Sequence, residues 1–79
     1  MKIKPNIALS ENGFIFNPST GDSYSVNPLG HEIIAFWQEG RRDEEIIELL
    51  LGSYKVDRPT LEKDIYDFRS MLQTYKIVE

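Results

Sequence analysis

Cysteine is absent from this chain, which removes disulfides, thiol nucleophiles and thiolate metal sites together. Its single histidine, His31, excludes any centre built on two imidazoles, including the usual catalytic zinc patterns. Apolar runs stop after a few residues, as at Leu49, Leu50 and Leu51, so no segment spans a membrane and none at the start reads as a secretory signal. Neither a G-x-G-x-x-G turn nor a glycine-rich phosphate loop followed by Lys-Ser/Thr occurs. Basic residues are in deficit, nine against thirteen acidic ones, for a net charge of −4. The first 26 residues balance, and the whole excess lies in residues 27–79. Binding to phosphates draws on counterion release by clustered Lys and Arg, so this balance argues against nucleic acid as a partner.

What is present suits a globular domain: 41% hydrophobic and 28% charged residues. Seventy-nine residues leave room for a single domain, 1–79. A chain of this size buries only roughly 60% of its unfolded surface and is marginally stable. A soluble cytoplasmic protein is the expectation, with the lack of cysteine consistent.

The chain changes character near Asn27. Before it, short apolar runs alternate with turn signals. Ile7, Ala8 and Leu9 read as a first strand. Asn12-Gly13 then predicts a type I′ hairpin turn into Phe14, Ile15 and Phe16. A second turn follows at residues 17–21, where proline, asparagine and glycine fix or tolerate unusual φ. Residues 22–26 alternate with period two, placing Tyr24 and Val26 on one face and Ser23 and Ser25 on the other.

After Asn27 the apolar spacing becomes helical. Asn27-Pro28 supplies a cap and a first-turn proline, with Leu29, Ile33, Phe36 and Trp37 as the buried stripe and Glu39-Gly40 as the stop. Gly30 weakens the first turn and marks close packing, expected against the sheet. Asp43 is expected to cap the second helix, whose stripe is Ile46, Ile47, Leu50 and Leu51. The third starts at about Pro59, since a residue before proline avoids helical geometry, and aligns Leu61, Ile65, Phe68 and Leu72. Ile77 and Val78 are expected to tuck back on the core. The predicted fold is α+β: a three-stranded antiparallel meander followed by three helices, winged-helix-like.

Catalytic groups do not converge in this pattern. His31 and Glu32 are adjacent on a helix and point apart. Asp43, Glu44, Glu45 and Glu48 form an acidic helix start, which is ordinarily a solvated face and lacks the loop geometry of a cation site. The expectation is therefore no enzyme, no cofactor and no metal. If the third helix read DNA, its leading half would bring Glu62, Asp64 and Asp67 against the single Lys63 to the phosphates. A winged-helix DNA-binding regulator is therefore the alternative, not the leading reading. The strand at residues 22–26 has one charge and no proline to blunt it, so it is open to an extended peptide adding as a further strand. Cover by the chain's own N-terminus, or self-pairing into a homodimer, is the competing use of that edge.

Several residues in order carry a family likeness: Tyr24 and Val26, then Asn27-Pro28-Leu29-Gly30 with Ile33, then Gly40-Arg41-Arg42-Asp43 before Ile47 and Leu50-Leu51. Asp64-Ile65, Phe68, Leu72 and Ile77-Val78 complete it. The sequence resembles the PqqD-like family, also called RiPP recognition elements, from about Ile7 to Val78. It departs at Val26, where the family often has leucine, at Leu29 and Asp43, where it has threonine, and at Arg69, where leucine is common. The resemblance implies a non-catalytic peptide chaperone. Such a protein binds the leader of a ribosomally made precursor and presents it to a modifying enzyme, such as a radical SAM protein or a leader protease. It further implies a groove between the third strand and the third helix, involving Ser23, Tyr24, Ser25 and Val26 with Asp64 and Phe68, and Leu61 and Met71 nearby. For Leu61, Ile65, Phe68 and Leu72, plain core packing is the competing assignment; Tyr24 could serve either purpose.

Overall fold

A computed structural model describes residues 2–79. Strands β1 (Ala8–Leu9), β2 (Phe14–Asn17) and β3 (Asp22–Ser25) form one antiparallel sheet in the order β1-β2-β3. Helices α1 (Pro28–Gln38), α2 (Asp43–Ser53) and α3 (Arg58–Thr74) follow. This is the predicted meander and helix order, with β1 one residue shorter than expected, β2 one longer, and β3 ending before Val26.

The first hairpin forms where Asn12-Gly13 predicts it, but with different turn chemistry. A type I′ turn needs positive φ at both central residues; here only Gly13 has it, at 84°. The Gly13 N–H donates to the Ser10 carbonyl at 3.2 Å and the Ser10 N–H to the Phe14 carbonyl at 2.9 Å. The loop is thus three residues long and closed by a left-handed glycine. In the second turn the buried Asn17 takes the Ser19 N–H on its side-chain oxygen at 3.0 Å, which satisfies a polar group in the core.

α1 begins as its sequence dictates: Asn27 Oδ1 accepts the Gly30 N–H at 2.7 Å and Pro28 occupies the first turn, where no backbone donor is missed. It ends in a Schellman motif, with Gly40 at φ 83° and the Gly40 and Arg41 amides donating to the Trp37 and Phe36 carbonyls. α3 ends in the same motif with Lys76 at φ 59°, and this reversal sends the chain back across the core. Ile77 and Val78 are buried there, and Val78 pairs with Ile3 in an isolated bridge. Residues 2–4 therefore pair with residues 77–79 and not with β3.

The cap of α2 corrects the sequence reading. Arg42, in extended conformation, is the N-cap, and Asp43 is the first helical residue. Glu45 accepts the Arg42 N–H at 3.3 Å, and this bond, ahead of the Arg42 guanidinium, holds the Glu45 carboxyl below its ordinary pKa. The Asp43 carboxylate is engaged elsewhere: it accepts the Trp37 indole N–H at 2.9 Å and the Arg69 guanidinium. Arg69 also lies over the Trp37 ring, 5.9 Å from its centroid. One carboxylate thus ties α1, α2 and α3 together. Arg58, expected just outside α3, is its first residue; the true cap is Asp57, which accepts the Thr60 N–H at 3.3 Å.

The core lies between the helices and one face of the sheet. Ile15 comes from β2, Ile33, Ile34 and Trp37 from α1, Ile46, Ile47 and Leu50 from α2, and Leu61, Ile65 and Leu72 from α3, with Ile3, Ile7, Ile77 and Val78 from the two ends. Burying each large aliphatic side chain contributes about 1.5–3 kcal/mol, which offsets the ordering of so short a chain. Leu51 and Phe36, expected in the stripes, are only half-buried.

Two stability outcomes follow. Serine is as good a cap as aspartate, so Asp43→Ser would be harmless if Asp43 capped the helix. As an acceptor for two donors that are largely buried, it is not replaceable, and Asp43→Ser should cost about 1–3 kcal/mol in denaturant unfolding. Asp57 should reveal itself by pH. The Thr60 hydroxyl and N–H hold its folded-state pKa below the ordinary value. Its stabilisation is then complete above the unfolded carboxylate pKa and disappears as pH falls through the depressed one. The Tm of Asp57→Ala should accordingly lie below wild type near neutrality and converge with it in acid.

Candidate functional site

Hydrogen-bond parity along β3 defines the open edge. In an antiparallel pair each residue directs its N–H and C=O to one side, and the next residue directs them to the other. The Val26 N–H donates to the Gly13 carbonyl at 2.8 Å, and the register pairs Tyr24 with Ile15. Val26 and Tyr24 therefore spend their backbone groups on β2. Ser23 and Ser25 direct theirs away from β2, and among the described residues no strand lies there. The expected edge is open, and its free donors and acceptors belong to two of the four predicted residues.

Beside this edge, a hollow of about 350 Å³ opens between α1 and α3, lined by Asn27, Leu29, Gly30, Ile33, Asp64, Asp67, Phe68 and Met71. It begins at Asn27, two residues beyond β3. The predicted Asp64, Phe68 and Met71 are brought together here. Leu61 is fully buried in the core and does not reach the hollow, as its competing assignment had it. Phe68 serves two roles, being half-buried, stacked on Trp37 with centroids 6.1 Å apart, and open to the hollow on its other side.

The first turn of α1 forms the opposite wall, which the sequence reading missed. Gly30 carries the available signal, and its close packing involves α3 as well as the expected strand. A Cβ there would stand 3.2 Å from Phe68 Cζ on α3 and 3.5 Å from Val26 Cβ, with Asn27 Oδ1 at 3.1 Å, so the close approach is chiefly helix to helix. Tyr24 is half-buried on the inner face and stacks on Tyr75 at the end of α3, with centroids 4.4 Å apart. That stack joins β3 to α3 at the far end of the crevice, and nothing in the spacing of Tyr75 announced it. The rim is acidic: Asp64 is exposed, while Asp67 accepts from Lys63 at 2.8 Å and holds that ammonium above its ordinary pKa.

His31 stands apart from the hollow. Its Nε2–H donates to the Ser10 carbonyl at 2.7 Å and ties the first hairpin to α1. Tyr54 donates to the Glu32 carboxylate nearby, which pushes the phenol pKa up.

The sequence of residues 12–78 matches the family described as Coenzyme PQQ synthesis protein D (PqqD). The chain belongs to the PqqD family. Among solved structures it is similar to "TbiB1 in Complex with the TbiA(beta) Leader Peptide" at 32% identity and a TM-score of 0.88, over 100% of this chain and 95% of that one. It shares its fold with "Lasso peptide synthetase B1 complexed with the leader peptide" at 21% identity and a TM-score of 0.81, over 94% and 91% of the two chains. No curated protein matches the sequence. The antiparallel three-stranded sheet and three helices are thus those of other proteins of this PqqD-like fold.

The Gly30 contact is open to a direct check. Alanine gains about 1 kcal/mol of helix propensity over glycine, but its methyl group must displace the Phe68 ring. Gly30→Ala should therefore shift the emission of Trp37, the chain's single tryptophan, and recover less stability than propensity alone promises. An unchanged spectrum would mean that Phe68 had not moved.

Proposed function

We propose that this chain is a non-catalytic recognition protein that binds the leader of a ribosomally synthesised precursor as a strand added to β3, and presents it to a modifying enzyme. The observation that carries this reading is the unpaired edge of β3 at Ser23 and Ser25, lying beside an apolar hollow. Backbone bonds to those two residues supply sequence-independent affinity. Side chains entering between α1 and α3 supply selectivity. In the groove, Tyr24 and Val26 support the inner face, Phe68 and Met71 form the apolar wall and Asp64 the polar rim. Leu61 supports Phe68's helix from the core and makes no peptide contact. The likeness to a structure solved with a leader peptide supports the same reading.

The enzyme partner is of the class that modifies or cleaves a leader-bearing peptide, such as a radical SAM protein or a leader protease. The chain, 1–79, acts as one peptide-binding unit in the cytoplasm, where ribosomes release the precursor. DNA is a poor ligand for this surface. Lys63 is paired with Asp67, and Arg41 and Arg42 are engaged by Glu39 and Glu45, so α3 and the turn before α2 offer phosphates no free basic cluster.

Proline at position 25 tests the edge directly. The Ser25 N–H points away from β2, so Ser25→Pro removes a donor the sheet does not use, and an edge strand tolerates proline with that orientation. Titrated with the TbiA(beta) leader peptide, the wild type should show slowed amide exchange at Ser23 and Ser25. Ser25→Pro should keep its fold and bind at least tenfold more weakly, about 1.4 kcal/mol. Protection confined to other elements, or full affinity in the variant, would overturn strand addition.

A further inference from the structure

The outer face of the sheet, turned away from the helices, carries an uncharged aromatic surface that the groove does not use. The register sets it out in two cross-strand rows, Ala8–Phe16–Ser23 and Ser10–Phe14–Ser25. Phe14 is 49% exposed and Phe16 42%, and neither packs on the core. Each ring stands between two small side chains, so its flanks are open. None of the six residues is charged in a chain where 28% are. Contiguous exposed apolar surface of this kind marks an interaction site.

We propose that this face is a second recognition surface for the same added peptide, selecting bulky apolar side chains at the two positions opposite Ser23 and Ser25. The proposal rests on the strand-addition reading above. The pleat decides the occupant: a strand paired with β3, whichever way it runs, projects alternate side chains onto the face of its lateral neighbours. The residue opposite Tyr24 faces the helices, and the two beside it face outward and extend the rows. Backbones of β2 and the added strand lie about 10 Å apart, two spacings of about 4.8 Å, with only serines between them. A phenyl ring on one side and a long apolar chain on the other can close that gap over a serine; a short side chain cannot. A charged side chain would lose hydration against the rings without gaining a partner. The serines on β3 are in this sense the specificity device, since larger residues there would fill the rows from within.

A displayed library of random ten-residue peptides provides the probe. It is selected in parallel on the wild type and on Phe14→Thr/Phe16→Thr, whose threonines keep strand propensity and disturb no core contact. Single Phe16→Thr carries the same comparison should the double variant not fold, as judged by its circular-dichroism melt. Peptides enriched on the wild type should carry large apolar residues at two positions two apart. On the variant, preference at those two positions should fall to background while preference at the intervening position persists. A peptide selected on the wild type should bind the variant at least tenfold more weakly. Equal preference and affinity on both proteins would overturn this proposal and leave strand addition standing. Absence of enrichment on the wild type, or enriched peptides that leave the Ser23 and Ser25 amides unprotected, would overturn strand addition itself and this inference with it. A wild-type dimer in sedimentation that the substitutions abolish would assign the face to self-association and likewise overturn the proposal.

Discussion

The rest of the molecule is arranged around the alternation of backbone hydrogen bonds along β3. Every buried N–H and C=O must find a partner, and a strand directs these groups to its two sides in turn. Once the Val26 N–H is committed to Gly13, Tyr24 is committed to β2, while Ser23 and Ser25 are committed to the open side. The same alternation sends the Tyr24 side chain toward the helices and both serine side chains outward. Backbone valence and side-chain direction are coupled, so the residues that would hold an added strand are the ones that leave space on the outer face.

The described segments at residues 2–4 and 77–79 pair with each other and not with that edge. Lys76 takes the left-handed position at the end of α3 that glycine occupies at the end of α1, a costly conformation for a side-chain-bearing residue. In return Ile77 and Val78 bury themselves and Val78 bridges to Ile3. The N-terminal segment, the natural competitor for β3, is thereby held against the C-terminal one.

The groove is connected to the core through side chains with two neighbours each. Asp43 joins Trp37 to Arg69, Trp37 stacks on Phe68, and Phe68 meets the first turn of α1 where Gly30 leaves room. The core and the wall of the hollow share this line of contacts. Phe68 accordingly packs against the core on one side and lines the hollow on the other.

Local chemistry was enough to read the meander, the three helices, the Asn27 cap and the open strand, because turns, caps and periodicity are encoded over a few adjacent residues. It also placed Asp64, Phe68 and Met71 along one helix. What it could not assign were choices between partners distant in the chain. Aspartate at position 43 is equally suited to cap a helix or to accept an indole and a guanidinium. Only the arrival of Trp37 and Arg69 beside it decides which. Asn12-Gly13 permits two kinds of turn, and the pairing of Ser10 with Phe14 selects the longer loop. Leu61 and Phe68 share a helical stripe, yet one is sealed in the core while the other is half-buried and opens to the hollow beside Gly30 of α1. Residue type and spacing fix what each side chain is able to do; packing between separate elements determines which of those capacities is used.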